Sequence, residues 1–196
     1  MDLSEGKFAV NLARNTIESY VKTYKIPDIP KKYPKEFSKP SGVFTTIHTY
    51  PEKDLRGCIG YPYPEMPLIR ALIYSAVEAT RDPRFPPLTK DELDKIIIEV
   101  SILTKPKLIG IKKPEDYLKL IKIGEDGLII KFGFQAGLLL PQVPVEYNWD
   151  VKTFLENLCY KAGLPKDAWK YEEAKIYKFQ AEIFGEEKPY GRIKRF

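Results

Sequence analysis

The stretch Val43-Phe44-Thr45-Thr46-Ile47-His48-Thr49-Tyr50-Pro51-Glu52-Lys53-Asp54-Leu55-Arg56-Gly57-Cys58-Ile59-Gly60-Tyr61 reads as two β-strands joined by a turn. Val43 to Tyr50 mixes apolar residues with threonine and suits a strand. Pro51-Glu52-Lys53-Asp54 suits a turn, and Leu55 to Tyr61 suits the returning strand. The second arm places the Cys58 thiol between glycines at 57 and 60, with a guanidinium two positions away. Successive strand side chains alternate faces, so Arg56 and Cys58 are expected to project from one side. Gly57 and Gly60 would clear space around the sulfur. A free cysteine is commonly an inert core residue, and only an accessible thiol beside a cation gains thiolate character.

Outward from this hairpin, helices and strands alternate irregularly. The first 24 residues read as an amphipathic helix that Ser4 can cap, with Phe8, Leu12, Ile17, Val21 and Tyr24 near one face. Pro27, Pro30, Pro34 and Pro40 then mark an irregular segment over residues 25–41. Pro67 opens a helix to about Thr80, and Asp82-Pro83-Arg84-Phe85-Pro86-Pro87 forms a rigid loop. Thr89 and Glu92 stand at capping-box spacing. Ile96 to Thr104 is the strongest strand, with Ile96, Ile98, Val100 and Ile102 on one face and Ile97, Glu99, Ser101 and Leu103 on the other. A short helix from Pro114 to Leu120 follows, then strands over Gly127–Phe134 and Ala136–Val143. Asp150 starts a helix whose stripe of Val151, Phe154, Leu155, Leu158, Cys159 and Ala162 ends at Gly163. That stripe assigns Cys159 to a core. A strand over Ala174–Phe184 leads to a basic tail over residues 185–196. Hairpins without regular βαβ units predict an α+β fold with a mainly antiparallel sheet, and no linker demands independent domains.

Composition narrows the function classes. A chain of 196 residues with 43% hydrophobic and 30% charged residues can bury one sizeable core without disulfides or metal. No run approaches the ~18–20 apolar residues that span a bilayer. The start Met1-Asp2-Leu3-Ser4-Glu5 lacks a secretory pattern, and the two cysteines form no framework, so a cytoplasmic chain with reduced thiols is expected. Abundant lysine and isoleucine with prolines in loops fit a heat-adapted chain. The net charge of +5 concentrates partly in Lys31, Lys32, Lys35 and Lys39, and in Lys188, Arg192, Lys194 and Arg195. These clusters could contact phosphates, or simply solvate the surface.

Phosphate-binding glycine loops, dinucleotide fingerprints, serine elbows and paired-histidine zinc helices are absent, and nothing in the sequence implies a cofactor or a metal. His48 is the single histidine. With a four-residue loop, Ile47 faces Cys58 and His48 faces Gly57, which puts His48 and Cys58 on opposite faces. A three- or five-residue loop, or one bulge, would reverse that. Arg56 is then the expected neighbour that stabilises a Cys58 thiolate, unless it pairs with Glu99 or Asp82. Glu99 and Ser101 are candidate orienting groups. Asp82 and Arg84 could present an ion pair beside the site or serve the loop's architecture. Gln142, in Leu139-Leu140-Pro141-Gln142-Val143-Pro144, offers an uncharged amide for binding or for the main chain. Trp149 and Trp169 read as core.

Together these motifs resemble the AMMECR family, named for a human chromosomal region linked to Alport syndrome, midface hypoplasia, intellectual disability and elliptocytosis. The resemblance runs from Gly42-Val43-Phe44-Thr45 through Leu55 to Gly60, Asp82-Pro83-Arg84-Phe85, Ile98-Glu99-Val100-Ser101, Leu139 to Val143 and Trp149-Asp150. Phe154-Leu155 and Cys159 with Ala162-Gly163-Leu164 complete it. It implies an α+β fold of a larger and a smaller lobe around a cleft near Leu55–Gly60. It implies no defined reaction. For many prokaryotic members it points to a Memo-type protein and a radical S-adenosylmethionine enzyme as partners. Two function classes stay open. One is a small-ligand cleft around Arg56 and Cys58, with His48, Gly57, Gly60, Glu99, Ser101, Asp82, Arg84 and Gln142 as binding candidates and thiol-dependent catalysis as its enzymatic form. The other is a non-enzymatic module binding RNA or protein through basic surface and tail.

Overall fold

The computed structural model describes every residue, Met1–Phe196. In chain order the elements are α1 (Leu3–Thr23), β1 (Val43–Thr49), β2 (Leu55–Tyr61), α2 (Leu68–Ala79) and β3 (Ile96–Leu103). There follow β4 (Lys107–Leu108), α3 (Tyr117–Leu120), β5 (Gly127–Phe132), β6 (Gln135–Leu139) and α4 (Val143–Glu146). The chain ends with α5 (Val151–Lys161), β7 (Lys175–Phe179), β8 (Ala181–Glu186) and β9 (Ile193–Arg195). Two antiparallel sheets with flanking helices make this an α+β protein. The chain divides into two compact units, residues 1–103 with 182–196, and residues 104–181.

In the first unit the sheet order is β2-β1-β3-β8-β9. Helices α1 and α2 cover one face, because every second residue of the central strands is large and apolar. Val43 and Ile47 of β1 alternate with Thr45, and Ile96, Ile98, Val100 and Ile102 of β3 all lie in the core. Thr45 is accommodated there because its hydroxyl is 2.7 Å from the Ser75 hydroxyl of α2. The cap of α1 is Asp2, not Ser4. Its carboxylate accepts from the Glu5 amide while Glu5 accepts from the Asp2 amide, a reciprocal box that Ser4, already inside the helix, is not placed to make.

A buried ion pair ties α1 to the sheet. Arg14 donates to Glu186, and also to the carbonyls of Leu93 and Ile96 at 2.9 and 2.8 Å. Glu186 in turn accepts from the Ile98 amide at 3.0 Å. Both side chains are at least nine-tenths buried, so the pair is tolerable only because main-chain groups satisfy what the two charges leave over.

In the second unit the order is β4-β7-β5-β6, with α5 packed on β5 and β6. Asp150 caps α5 by accepting from the Thr153 amide. Gly137 lets the end of α5 approach, since a Cβ there would stand 2.7 Å from the Ala162 nitrogen. Cys159 is fully buried and its thiol is pushed up to about 11 by that burial. Two sequence boundaries change. The strand expected over 174–184 is two strands in different sheets, breaking at exposed Gln180, because Phe179 and Phe184 pack in separate units. The strand expected to reach Val143 stops at Leu139, where Pro141 removes a ladder donor and Pro144 favours a helical start. The segment 185–196 is also no free tail, since it contains β9 paired with β8.

Candidate functional site around Cys58

The hairpin loop comprises residues 50–54, one longer than the sequence suggests, and a bulge follows it. Ile47 pairs with Gly57 and His48 with Leu55, which leaves Arg56 as the extra residue. Thr46 therefore stands opposite Cys58. Three cross-strand rows result on the face away from α1 and α2. They are Gly60-Phe44-Ser101, Cys58-Thr46-Glu99 and Leu55-His48-Ile97. The expectation that His48 and Cys58 occupy opposite faces is thus corrected. They share a face, one row apart, because the longer loop and the bulge shift the register.

Glycines border this arrangement for opposite reasons. A Cβ on Gly57 would meet the Ala79 carbonyl at 2.2 Å, so α2 can end against β2 only where that side chain is missing. On the other face a Cβ on Gly60 would meet the Phe44 ring at 2.3 Å. Both glycines are demanded by contact, and Cys58 sits between them.

Cys58 lies on the edge strand, which has no neighbouring strand on its outer side. The Asp82–Arg84 loop supplies what a strand would. Asp82 accepts from the Cys58 amide at 2.9 Å, and Arg84 donates to the Cys58 carbonyl at 3.3 Å. Arg84 also grips Asp82 through Nε and Nη2 at 3.0 and 2.6 Å. The Asp82 side chain is almost wholly buried, and these donors hold its carboxyl well below the usual carboxylate range. This clamp protects an edge and fixes the backbone that carries the thiol.

Arg56 goes elsewhere. As the bulged residue it leaves the alternation and forms a bidentate pair with Glu92, at 2.7 and 3.1 Å. The partner is neither Glu99 nor Asp82, and it is the same Glu92 that boxes Thr89. The guanidinium that stabilises a Cys58 thiolate is Arg84. The group bonded to the sulfur is Thr46, whose hydroxyl donates to Sγ at 3.3 Å. Sequence reasoning missed Thr46, and only the bulged register reveals it.

Burial governs the protonation of the face. It pushes the Cys58 thiol up, against the opposing pull of Thr46 and Arg84, with Asp82 and Glu99 adding to the rise. It raises the Glu99 carboxyl as well, and that side chain has no hydrogen-bond or ion-pair partner. Burial lowers the imidazole of His48, and its Nδ1 is buried without a partner. Three ionisable groups on one face are therefore displaced toward their uncharged forms. Ser101 is buried one row from Glu99. Gln142 belongs to the other unit, where its Oε1 is buried without a donor. The basic C-terminal residues are partly committed, Arg195 to Glu182 at 2.9 Å and Lys194 to Glu187 at 3.5 Å.

An α+β protein of two antiparallel sheets, with a clamped cysteine on an exposed-edge strand, is the class that this fold and site define. The AMMECR1 family model matches residues 10–184, and the chain belongs to that family. Protein MJ0810 of Methanocaldococcus jannaschii is 56% identical over 194 residues, covering 98% of this chain and 96% of its own. Protein PYRAB00100 of Pyrococcus abyssi is 51% identical over 194 residues, covering 97% and 94%. The crystal structure of the uncharacterized protein PH0010 from Pyrococcus horikoshii superposes with a TM-score of 0.90 at 50% identity, covering 100% of this chain and 98% of that one. No helix is long and apolar enough to cross a membrane.

Proposed function

We propose that the Cys58-Thr46-Glu99 row is the floor of a small-ligand site, with the thiol as its reactive or ligand-contacting group. The observation that carries this reading is Glu99, a half-buried carboxyl in line with Cys58 and without a hydrogen-bonded or ion-paired partner of its own. A partly desolvated carboxyl left unpaired gives up some stability, and such a cost is commonly retained for function. The ligand class that answers it carries an amine or another proton-donating group.

At rest the thiol is protonated at neutral pH, so Cys58 is no standing nucleophile. A cationic ligand over the row would lower both the Glu99 carboxyl and the Cys58 thiol, since each then ionises beside a positive charge. Thr46 already donates to the sulfur and favours the thiolate once formed. Asp82 and Arg84 position the strand, and His48 is the neighbouring imidazole on the same face. In a pathway with Memo-type and radical S-adenosylmethionine proteins, this site would receive or hold a shared small molecule.

The test is the pH profile of iodoacetamide alkylation at Cys58 in a Cys159→Ala background. The expected midpoint lies above the free-thiol value of ~8.5, and Glu99→Gln moves it down because a charge that opposes the thiolate is gone. A midpoint near neutrality, or one untouched by Glu99→Gln, would overturn the resting-state account. An amine-bearing metabolite that protects Cys58 from alkylation in the parent but not in Glu99→Gln would identify the ligand.

A further inference from the structure

A second concave site lies wholly within residues 104–181, independent of Cys58. It is a groove of about 490 Å³, in the size range of small-molecule sites. Its floor includes Ile109, Tyr117, Trp169 and Ala174, each more than nine-tenths buried. Around that floor stand Lys112, Lys113, Lys170 and Lys175, opposed by Glu172 in the lining and by Asp116 beside Lys113. Four ammonium groups against two carboxylates leave a local charge of +2.

Some lysines elsewhere on the surface are neutralised locally. Lys22, Lys39, Lys122 and Lys152 each pair with an acid three or four residues away. Lys113 has Asp116 three residues on, while Lys112, Lys170 and Lys175 form no ion pair, and Lys170 Nζ lies 5.2 Å over the Trp169 ring. The Trp169 Nε1–H is itself buried without an acceptor in the chain. Exposed Tyr171 continues the aromatic wall, edge-on to Phe132 at 6.1 Å.

Crowded like charges that outnumber their internal counter-ions favour an external anion. A bare inorganic ion would use the lysines and ignore the aromatic floor. A flat organic group would use both, because ring contact adds to the charge attraction. We infer that this groove binds a small anion with a planar body, of the nucleoside monophosphate class, with its phosphate on the lysine rim and its ring against the Tyr117–Trp169 floor.

Calorimetry of the full chain with adenosine monophosphate tests this, with inorganic phosphate and a short single-stranded oligonucleotide as parallel probes. A Trp149→Phe background leaves Trp169 as the sole indole emitter. The expected result is one saturable site for the nucleotide, a change in Trp169 emission, and at least about tenfold weaker binding of phosphate. Lys170→Gln with Lys175→Gln should weaken the nucleotide about tenfold or more, while Lys152→Gln and Cys58→Ala leave it unchanged. No saturable heat or emission change at millimolar nucleotide would overturn the inference. Equal affinity for phosphate would reduce the groove to a charge patch. Salt-steep oligonucleotide binding without nucleotide binding would replace it with a nucleic-acid surface.

Discussion

The two faces of the five-stranded sheet solve opposite problems, most clearly across β2, β1 and β3. The face under α1 and α2 is closed, and its main polar groups are paired: Thr45 has Ser75, and Arg14 has Glu186 with two carbonyls, with the buried Thr16 hydroxyl of α1 as the exception. The opposite face carries Cys58, Glu99 and His48, of which Glu99 is unpaired and His48 holds an unpartnered nitrogen. Stability resides in the first face. The second gives some of it up, and that difference is where chemistry is to be sought. The two cysteines repeat the contrast, since Cys159 is sealed in an apolar stripe and Cys58 is half-buried on a clamped strand.

Four experiments test this contrast between the faces, beginning with the largest effect. Arg14→Ala leaves Glu186 charged and buried, and should cost about 3–5 kcal/mol in urea unfolding. A loss within the surface range of ~0.5 kcal/mol would mean the helix-covered face is not where stability resides.

Asp82→Asn should cost about 2 kcal/mol, because the clamp on Cys58 rests on charge-assisted bonds. The pH dependence has a definite sign. The native Asp82 carboxyl ionises below its unfolded value of ~3.9, so its stabilisation is complete at neutral pH and is lost as pH falls through and below that value. Acid titration of stability should be flatter in the asparagine variant, and parallel curves would contradict the clamp.

Glu99→Gln is expected to stabilise by up to about 1 kcal/mol at pH 8. Its native carboxyl ionises above the unfolded value of ~4.3, so the parent gains relative stability as pH falls, and the gap should close near pH 4. Loss of stability in this variant at pH 8 would show that Glu99 has a structural partner after all. The smallest effect expected is kinetic. Thr46→Val should slow alkylation of Cys58 about twofold to fivefold at fixed pH, by removing the hydroxyl that favours the thiolate. Unchanged rates would leave Thr46 a spectator.

Local order was largely legible in the sequence. The β3 alternation put Ile98 and Val100 on one side and Glu99 and Ser101 on the other, as in the structure. The α5 stripe placed Cys159 in a core, and Asp150 and the Thr89–Glu92 box are where capping chemistry required. The site was legible only in part. The Cys58 strand was evident, but Thr46 as the sulfur's donor and Glu92 as Arg56's partner were not. Both depend on the extra residue at Arg56, and a bulge leaves no mark in a period-two pattern until the neighbouring strand is in place.

By itself, then, the sequence determined that this is an α+β chain of the AMMECR1 family with a glycine-flanked thiol on a strand. Periodicity, caps and proline breaks act over a few residues and can be read from them. Tertiary structure alone decided which charges meet. It gave Arg56 to Glu92, Arg84 to Asp82, and left Glu99 with nothing, from residues 36, two and more than 40 positions apart in the chain. Ion pairing and desolvation depend on distances in space, and a single-residue shift in register turns a strand's side chains to the other face.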